Sequence, residues 1–228
     1  MNDIQTGNAI RPSLIIFDCD GVLVDSEVLA ARALQEVLRR GGVAVELEAI
    51  ERCTGMKQAD IIATLEAGIG APIDPALVGS VWPATRALFA AELTSTPGLP
   101  AFLDRWDGPR CVASSSSHER IRFSLSVTGL TRHFDDAAIF SASDVARGKP
   151  APDLFLHAAA RMGADPADCL VIEDSRFGVA GAVAGGFMAG GYVGGAHARA
   201  QTAMALRDAG ASWVEESWAT IARRIGMA

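Results

Sequence analysis

Two aspartates, Asp18 and Asp20, flank Cys19 directly after the apolar run LIIF and just ahead of Gly21. In an extended chain, residues i and i+2 point to the same side, about 6–7 Å apart. Both carboxylates can therefore face one site while Cys19 turns back into the packing, and Gly21 lets the chain turn away sharply. A second acidic pair, Glu173-Asp174, closes the run CLVI in the same manner. If the two runs are neighbouring strands, four carboxylates gather at one edge. Each like-charge pair at ~5 Å then costs roughly 3 kcal/mol at an effective dielectric near 20. A divalent cation held by oxygen ligands relieves that repulsion, and the hardness of the donors points to Mg²⁺.

Two further positions supply groups that suit an anion. Lys149 lies in Gly148-Lys149-Pro150-Ala151-Pro152, where Pro150 biases it towards an extended backbone. A lysine held by rigid neighbours can act as a fixed positive charge. Ser114 ends the run CVA and is followed by Ser115, Ser116 and Ser117. A hydroxyl together with backbone N–H groups opening a helix makes an anion site, with Ser117 as the expected N-cap.

The elements that must position these residues can be read from periodicity. Short apolar runs at Leu14–Phe17, 111–113, 137–140, 169–172 and 188–193 suit strands covered on both faces. Helical patterns at 118–128, 152–162 and 175–184 lie between or after them, the first two stopping at Gly129 and Gly163. This alternation predicts an α/β fold: a Rossmann-like, doubly wound parallel sheet. Residues 27–40, 58–67 and 75–93 all read as helices, with no strand between them. They predict an inserted α-helical domain over 27–96, with the core formed by 12–26 and 97–228. Linkers near Asp25–Ser26 and 94–98 are expected to act as hinges.

Composition narrows the function class. A formal net charge of −7, with no basic run longer than two residues, argues against nucleic-acid binding. The uncharged stretch 177–196 has the length of a membrane span, but eight of its 20 residues are glycine. A buried helix followed by a strand is expected there instead. Cys19, Cys53, Cys111 and Cys169 form no C-x-x-C pair and read as buried thiols of a reducing, cytoplasmic compartment. The first residues are polar and lack the apolar segment of an export signal. No exposed apolar stripe indicates an oligomer. His118, His133, His157 and His197 fall in no metal or triad spacing, and are expected to be structural or solvated.

In order and spacing, DCDGVLVDSE, VASSSS, the lysine of GKPAPD and VIEDS resemble the motifs of the haloacid dehalogenase superfamily, in its β-phosphoglucomutase-like subgroup. The resemblance spans Leu14 to about Val193 and identifies the helical insert with that family's cap. It implies that Asp18 attacks phosphorus to form an aspartyl phosphate, and that Asp20 protonates the leaving oxygen and then activates water. It also implies that Asp18, Asp174 and the backbone carbonyl of Asp20 hold Mg²⁺. Ser114, Ser115 and Lys149 would bind the phosphoryl oxygens, with Glu173 in support. The expected substrate is a small phosphorylated metabolite, and the activity that of a phosphatase. Dehalogenases lack an acid at the position of Asp20. The related sugar phosphomutases carry a histidine where this chain has Ala30, and a G-x-S-R turn where it reads Gly55-Met56-Lys57-Gln58. Lys57 is the cap residue expected to reach the substrate. Receiver domains use the same acids, hydroxyl and lysine as a switch, but need neither the proton donor nor the insert.

Overall fold

The computed structural model describes residues 11–53, 55–198 and 200–227; the polar N-terminal stretch 1–10 lies outside them. Six strands form one parallel sheet: β1 (Leu14–Phe17), β2 (Arg110–Ser114), β3 (Ile139–Ser141), β4 (Cys169–Glu173), β5 (Met188–Tyr192) and β6 (Trp213–Glu215). Their spatial order is β3-β2-β1-β4-β5-β6. The chain runs outward from β1 to β3 and then returns to the other side of β1 with β4. The topological switch therefore lies between β1 and β4, where open α/β sheets bind ligands. Phe17 pairs with Ile172 in that ladder, and the Asp18 N–H donates to the Ile172 carbonyl at 3.0 Å. The register thus sets Asp18 beside Glu173 and Asp174.

Alternation along β1 separates two cores. Ile15 and Phe17 join Phe102, Trp106, Ile121 and Trp218 on one face; Leu14 and Ile16 join Leu154, Phe155, Val179 and Leu206 on the other. The helices covering these faces are α6 (Leu99–Arg105), α7 (His118–Val127), α8 (Asp153–Met162), α9 (Arg176–Ala184), α10 (Ala200–Asp208) and α11 (Trp218–Arg224). Ser117 and Ser175 cap α7 and α9, accepting from Arg120 N and Gly178 N. Stretch 177–196 is the expected helix and strand, and no helix among the described residues is long and apolar enough to cross a membrane.

Between β1 and α6 come α1 (Glu27–Arg40), α2 (Leu47–Glu51), α3 (Gln58–Ile69), α4 (Pro75–Gly79) and α5 (Val81–Glu92). Their own core contains Leu34, Val37 and Leu38 of α1 at helical spacing, with Ile50, Ile62, Leu65 and Val81. The two linkers to the sheet lie against each other. Val24 and Ser95 form an antiparallel bridge, and Asp25 N donates to the Thr94 carbonyl at 2.9 Å.

Several boundaries differ from the sequence expectation. Residues 136–138 form a 3₁₀ turn, and the third strand starts at Ile139. The expected helix 75–93 breaks at Ser80, because Pro83 is tolerated only in the first turn of a helix and so belongs to a fresh start. The helices α2, α6, α10 and α11 and the three-residue β6 are too short or too weakly periodic to have stood out.

Candidate active site

The carboxyl ends of β1, β2 and β4 and the loop before α8 meet on one side of the sheet. Lys149 reaches in with its side chain 1% exposed. Its Nζ donates to Asp18 Oδ1 at 2.6 Å, to Glu173 Oε1 at 2.5 Å and to the Ala113 carbonyl at 3.1 Å. Burial would lower its pKa, but the two carboxylates outweigh it and raise it. Burial pushes the Asp18 carboxyl well above the usual range; Lys149 pulls it back, and Glu173, Asp174 and Asp20 push it further. Lys149 is therefore the largest influence opposing protonation of Asp18. Glu173 is fully engaged, since its Oε2 accepts from Ser175 N at 3.0 Å and Ser175 Oγ at 2.9 Å.

One oxygen each of Asp18, Glu173 and Asp174 lie within 4.8 Å of one another. With Glu173 occupied by Lys149 and Ser175, Asp18 and Asp174 are the side chains with ligand capacity. Oδ2 of Asp174 is buried and lies 2.9 Å from His197 Nε2, in poor hydrogen-bond alignment. Hard oxygen donors at this spacing fit Mg²⁺. Gly21 makes the arrangement possible: its φ is +77°, and a Cβ there would overlap the Asp174 carboxylate.

Asp20 faces elsewhere. Its Oδ1 accepts from Ser26 Oγ at 2.6 Å and Arg120 at 2.7 Å, and its Oδ2 from Ser116 Oγ at 2.6 Å. Burial would raise its pKa, but Arg120, Ser116 and Ser26 together lower it. Its side chain is thus outside the acid cluster, leaving only its backbone carbonyl for the metal role expected of it.

Ser114 is buried at the end of β2, accepts from Ser116 N at 3.1 Å and lines the cavity. Ser115 turns its hydroxyl to the Gly55 carbonyl at 3.1 Å, so its side chain meets the helical segment. Lys57 also departs from expectation. Its Nζ donates to the Ala142 carbonyl at 3.2 Å and its stem lies over Gly148; it braces the lysine loop and is not among the cavity-lining residues.

The cavity itself is about 710 Å³, walled by the strand ends on one side and α1, α2, α3 and α5 on the other. Two lining residues are not among the expected site residues, and one of them, His197, is expected from the sequence to be structural or solvated. Arg120, one turn into α7, carried no motif. His197 follows β5 in an irregular loop, with Nε2 2.9 Å from Asp174 Oδ2. Burial lowers its pKa, but Asp174, Glu27 and Asp25 outweigh it and raise it to about 9. Glu27, at the start of α1, is pushed up to about 8 by burial and by Asp174 and Asp20.

A family model described as haloacid dehalogenase-like hydrolase matches residues 12–186. The chain belongs to that family. It is 33% identical over 177 residues to the 6-phosphogluconate phosphatase of Escherichia coli K12, covering 77% of this chain and 78% of that protein. It is 33% identical over 175 residues to a fructose-1-phosphate phosphatase of the same organism, covering 75% and 92%. A conserved haloacid dehalogenase-like protein of Agrobacterium tumefaciens superposes with a TM-score of 0.78 at 35% identity, covering 92% and 98%. In this haloacid dehalogenase-like hydrolase, Asp18, Glu173, Asp174 and Lys149 meet at the switch point, and Asp20, Ser114, Arg120 and His197 line the same cavity.

Proposed function

We propose that this hydrolase cleaves small phosphate monoesters, of the size of a phosphorylated sugar, through an aspartyl phosphate on Asp18. The observation that carries the reading is the buried Lys149 held between Asp18 and Glu173 at the floor of the cavity. An Asp18 oxygen attacks phosphorus as the bond to the ester oxygen breaks, and Asp20 gives that oxygen its proton. Water then attacks the same phosphorus, Asp20 takes the proton, and inorganic phosphate leaves with Asp18 restored. Lys149 and Ser114 hold the phosphoryl oxygens in line, so positioning and charge neutralisation do most of the catalysis. Asp18, Asp174 and the carbonyl of Asp20 would hold Mg²⁺, which when bound neutralises charge on the transferring group.

Residues 27–96 act in this reading as a cap that closes over the ester, turning about the paired linkers at 24–26 and 94–96 and excluding water. Ala30 and Gln58 line the cavity where the phosphomutase pattern calls for histidine and arginine, which favours transfer to water over transfer to sugar. The 6-phosphogluconate and fructose-1-phosphate phosphatases among the relatives support phosphorylated sugars and sugar acids as substrates. Four buried free cysteines support a reducing, cytoplasmic setting. The test is phosphate release from a panel of such esters with and without Mg²⁺. Many turnovers that require the metal are expected; one phosphoryl group transferred per chain, with no turnover, would replace the enzyme with a phospho-acceptor.

A further inference from the structure

Asp20 is held by donors from both sides of the cavity. Ser26, just before α1, belongs to the linker into the helical segment; Ser116 and Arg120 belong to the sheet side. Arg120 extends this link. Its guanidinium lies over the ring of Phe89 in α5, 5.1 Å from the centroid, and Phe89 is buried. Around it, α5 and α7 are joined by further side chains: Trp82 Nε1 donates to Glu119 at 2.9 Å, and Arg86 lies 4.7 Å over Phe123. The Arg120–Asp20 pair is mostly shielded, with side chains 22% and 11% exposed, so solvent screening weakens it little.

We propose that Arg120 is a positioning residue: it fixes the carboxylate of Asp20 for proton transfer, and through Phe89 makes that fixing depend on α5 being packed against α7. Two constraints act on Arg120 at once. Its planar fork donates to Asp20 while its flat face rests on the aromatic ring, a pairing that lysine reproduces only in part. Separation of α5 from α7 removes the ring, and movement of the 24–26 linker removes Ser26, so Asp20 loses two of its restraints together. The acid–base group is in this way set only when the cavity is roofed. Arg120 does not touch the reacting phosphoryl group in this role; it acts through Asp20.

The proposal rests on Asp20 being the general acid, so the test separates the two claims. It compares kcat/KM, which reports phosphoenzyme formation, for an alkyl phosphate and for an aryl phosphate whose phenolate leaves unaided. Asp20→Asn is expected to harm the alkyl ester far more than the aryl ester. Arg120→Gln should show the same preference more weakly, losing roughly 10–100-fold on the alkyl ester and little on the aryl ester. The double variant should be no worse on the alkyl ester than Asp20→Asn alone, because the two residues act as one unit. Arg120→Lys, which keeps the charge, should recover part of the loss, and it decides the matter if Arg120→Gln does not fold. Equal losses on both esters for Asp20→Asn would overturn the acid assignment. A selective Asp20→Asn effect beside an unselective Arg120→Gln effect, or independent multiplication of the two, would overturn the role of Arg120. Should Arg120→Lys be the only folded variant, an unchanged ester preference overturns it as well.

Discussion

Lys149→Met removes one charge and leaves the rest of the site in place. Lys149 lies 2.6 Å from Asp18 Oδ1 and 2.5 Å from Glu173 Oε1, with all three side chains buried. Each attraction is about 6 kcal/mol gross at an effective dielectric near 20, and desolvation of the charges takes back most of it. Removing one partner of a buried ion pair still costs about 3–5 kcal/mol, because the remaining charges stay buried and unpaired. That is a large share of a typical stability of about 5–15 kcal/mol. With a urea slope of about 2 kcal/mol per molar, the midpoint should fall by roughly 2 M. The assay is urea unfolding in EDTA at pH 7 and pH 5. Lacking its lysine, the native state binds a proton at Asp18 more readily than the unfolded chain does, so the deficit should shrink as pH falls. Activity should be lost as well, since Asp18 loses the largest influence opposing its protonation. An unchanged midpoint at pH 7, or a deficit that does not shrink at pH 5, refutes the reasoning.

Other outcomes follow from the same geometry. Gly21→Ala meets both a φ of +77° and the Asp174 carboxylate; thermal unfolding should show a loss of about 1–3 kcal/mol, and calorimetry a weaker Mg²⁺ affinity. Asp174→Asn should raise the Mg²⁺ concentration for half-maximal activity by more than about tenfold, with little change in substrate KM at saturating metal. His197 has a folded pKa of about 9 against an ordinary value of 6.5, so the stability it contributes is full below pH 6.5 and lost as pH rises through 9. In metal-free buffer the parent should therefore lose up to roughly 3 kcal/mol more than His197→Gln between those limits, read by denaturant titration at each pH.

The acids and Ser114, all legible in the sequence, share one property: they sit at ends of buried strands. An aspartate closing LIIF and an acidic pair closing CLVI have only one place to go once the strands pair in parallel, and that pairing follows from continuous apolar runs. Ser114 is fixed by the same edge, and Lys149 reaches it from the proline-flanked loop before α8. Arg120 and His197 are different. Arg120 occupies an ordinary position in an amphipathic helix, and its partner is decided by the angle at which α7 leaves the sheet. His197 lies in a glycine-rich loop, where no period constrains the side chain; its place beside Asp174 depends on Gly21 and Gly195, whose added Cβ atoms would crowd its ring. Lys57 illustrates the converse. A lysine near the start of a cap helix is free to reach in several directions, and the carbonyl of Ala142 captures it.

The most direct measurement is to quench the enzyme during turnover of a good substrate with Mg²⁺, reduce with borohydride, and sequence the peptide carrying residue 18 by mass spectrometry. An acyl phosphate is reduced where a free carboxylate is not, so homoserine should appear at position 18 and disappear in Asp18→Asn. Full turnover with Asp18 always recovered unmodified, or the phosphoryl group found on another side chain, would contradict a nucleophilic role for Asp18.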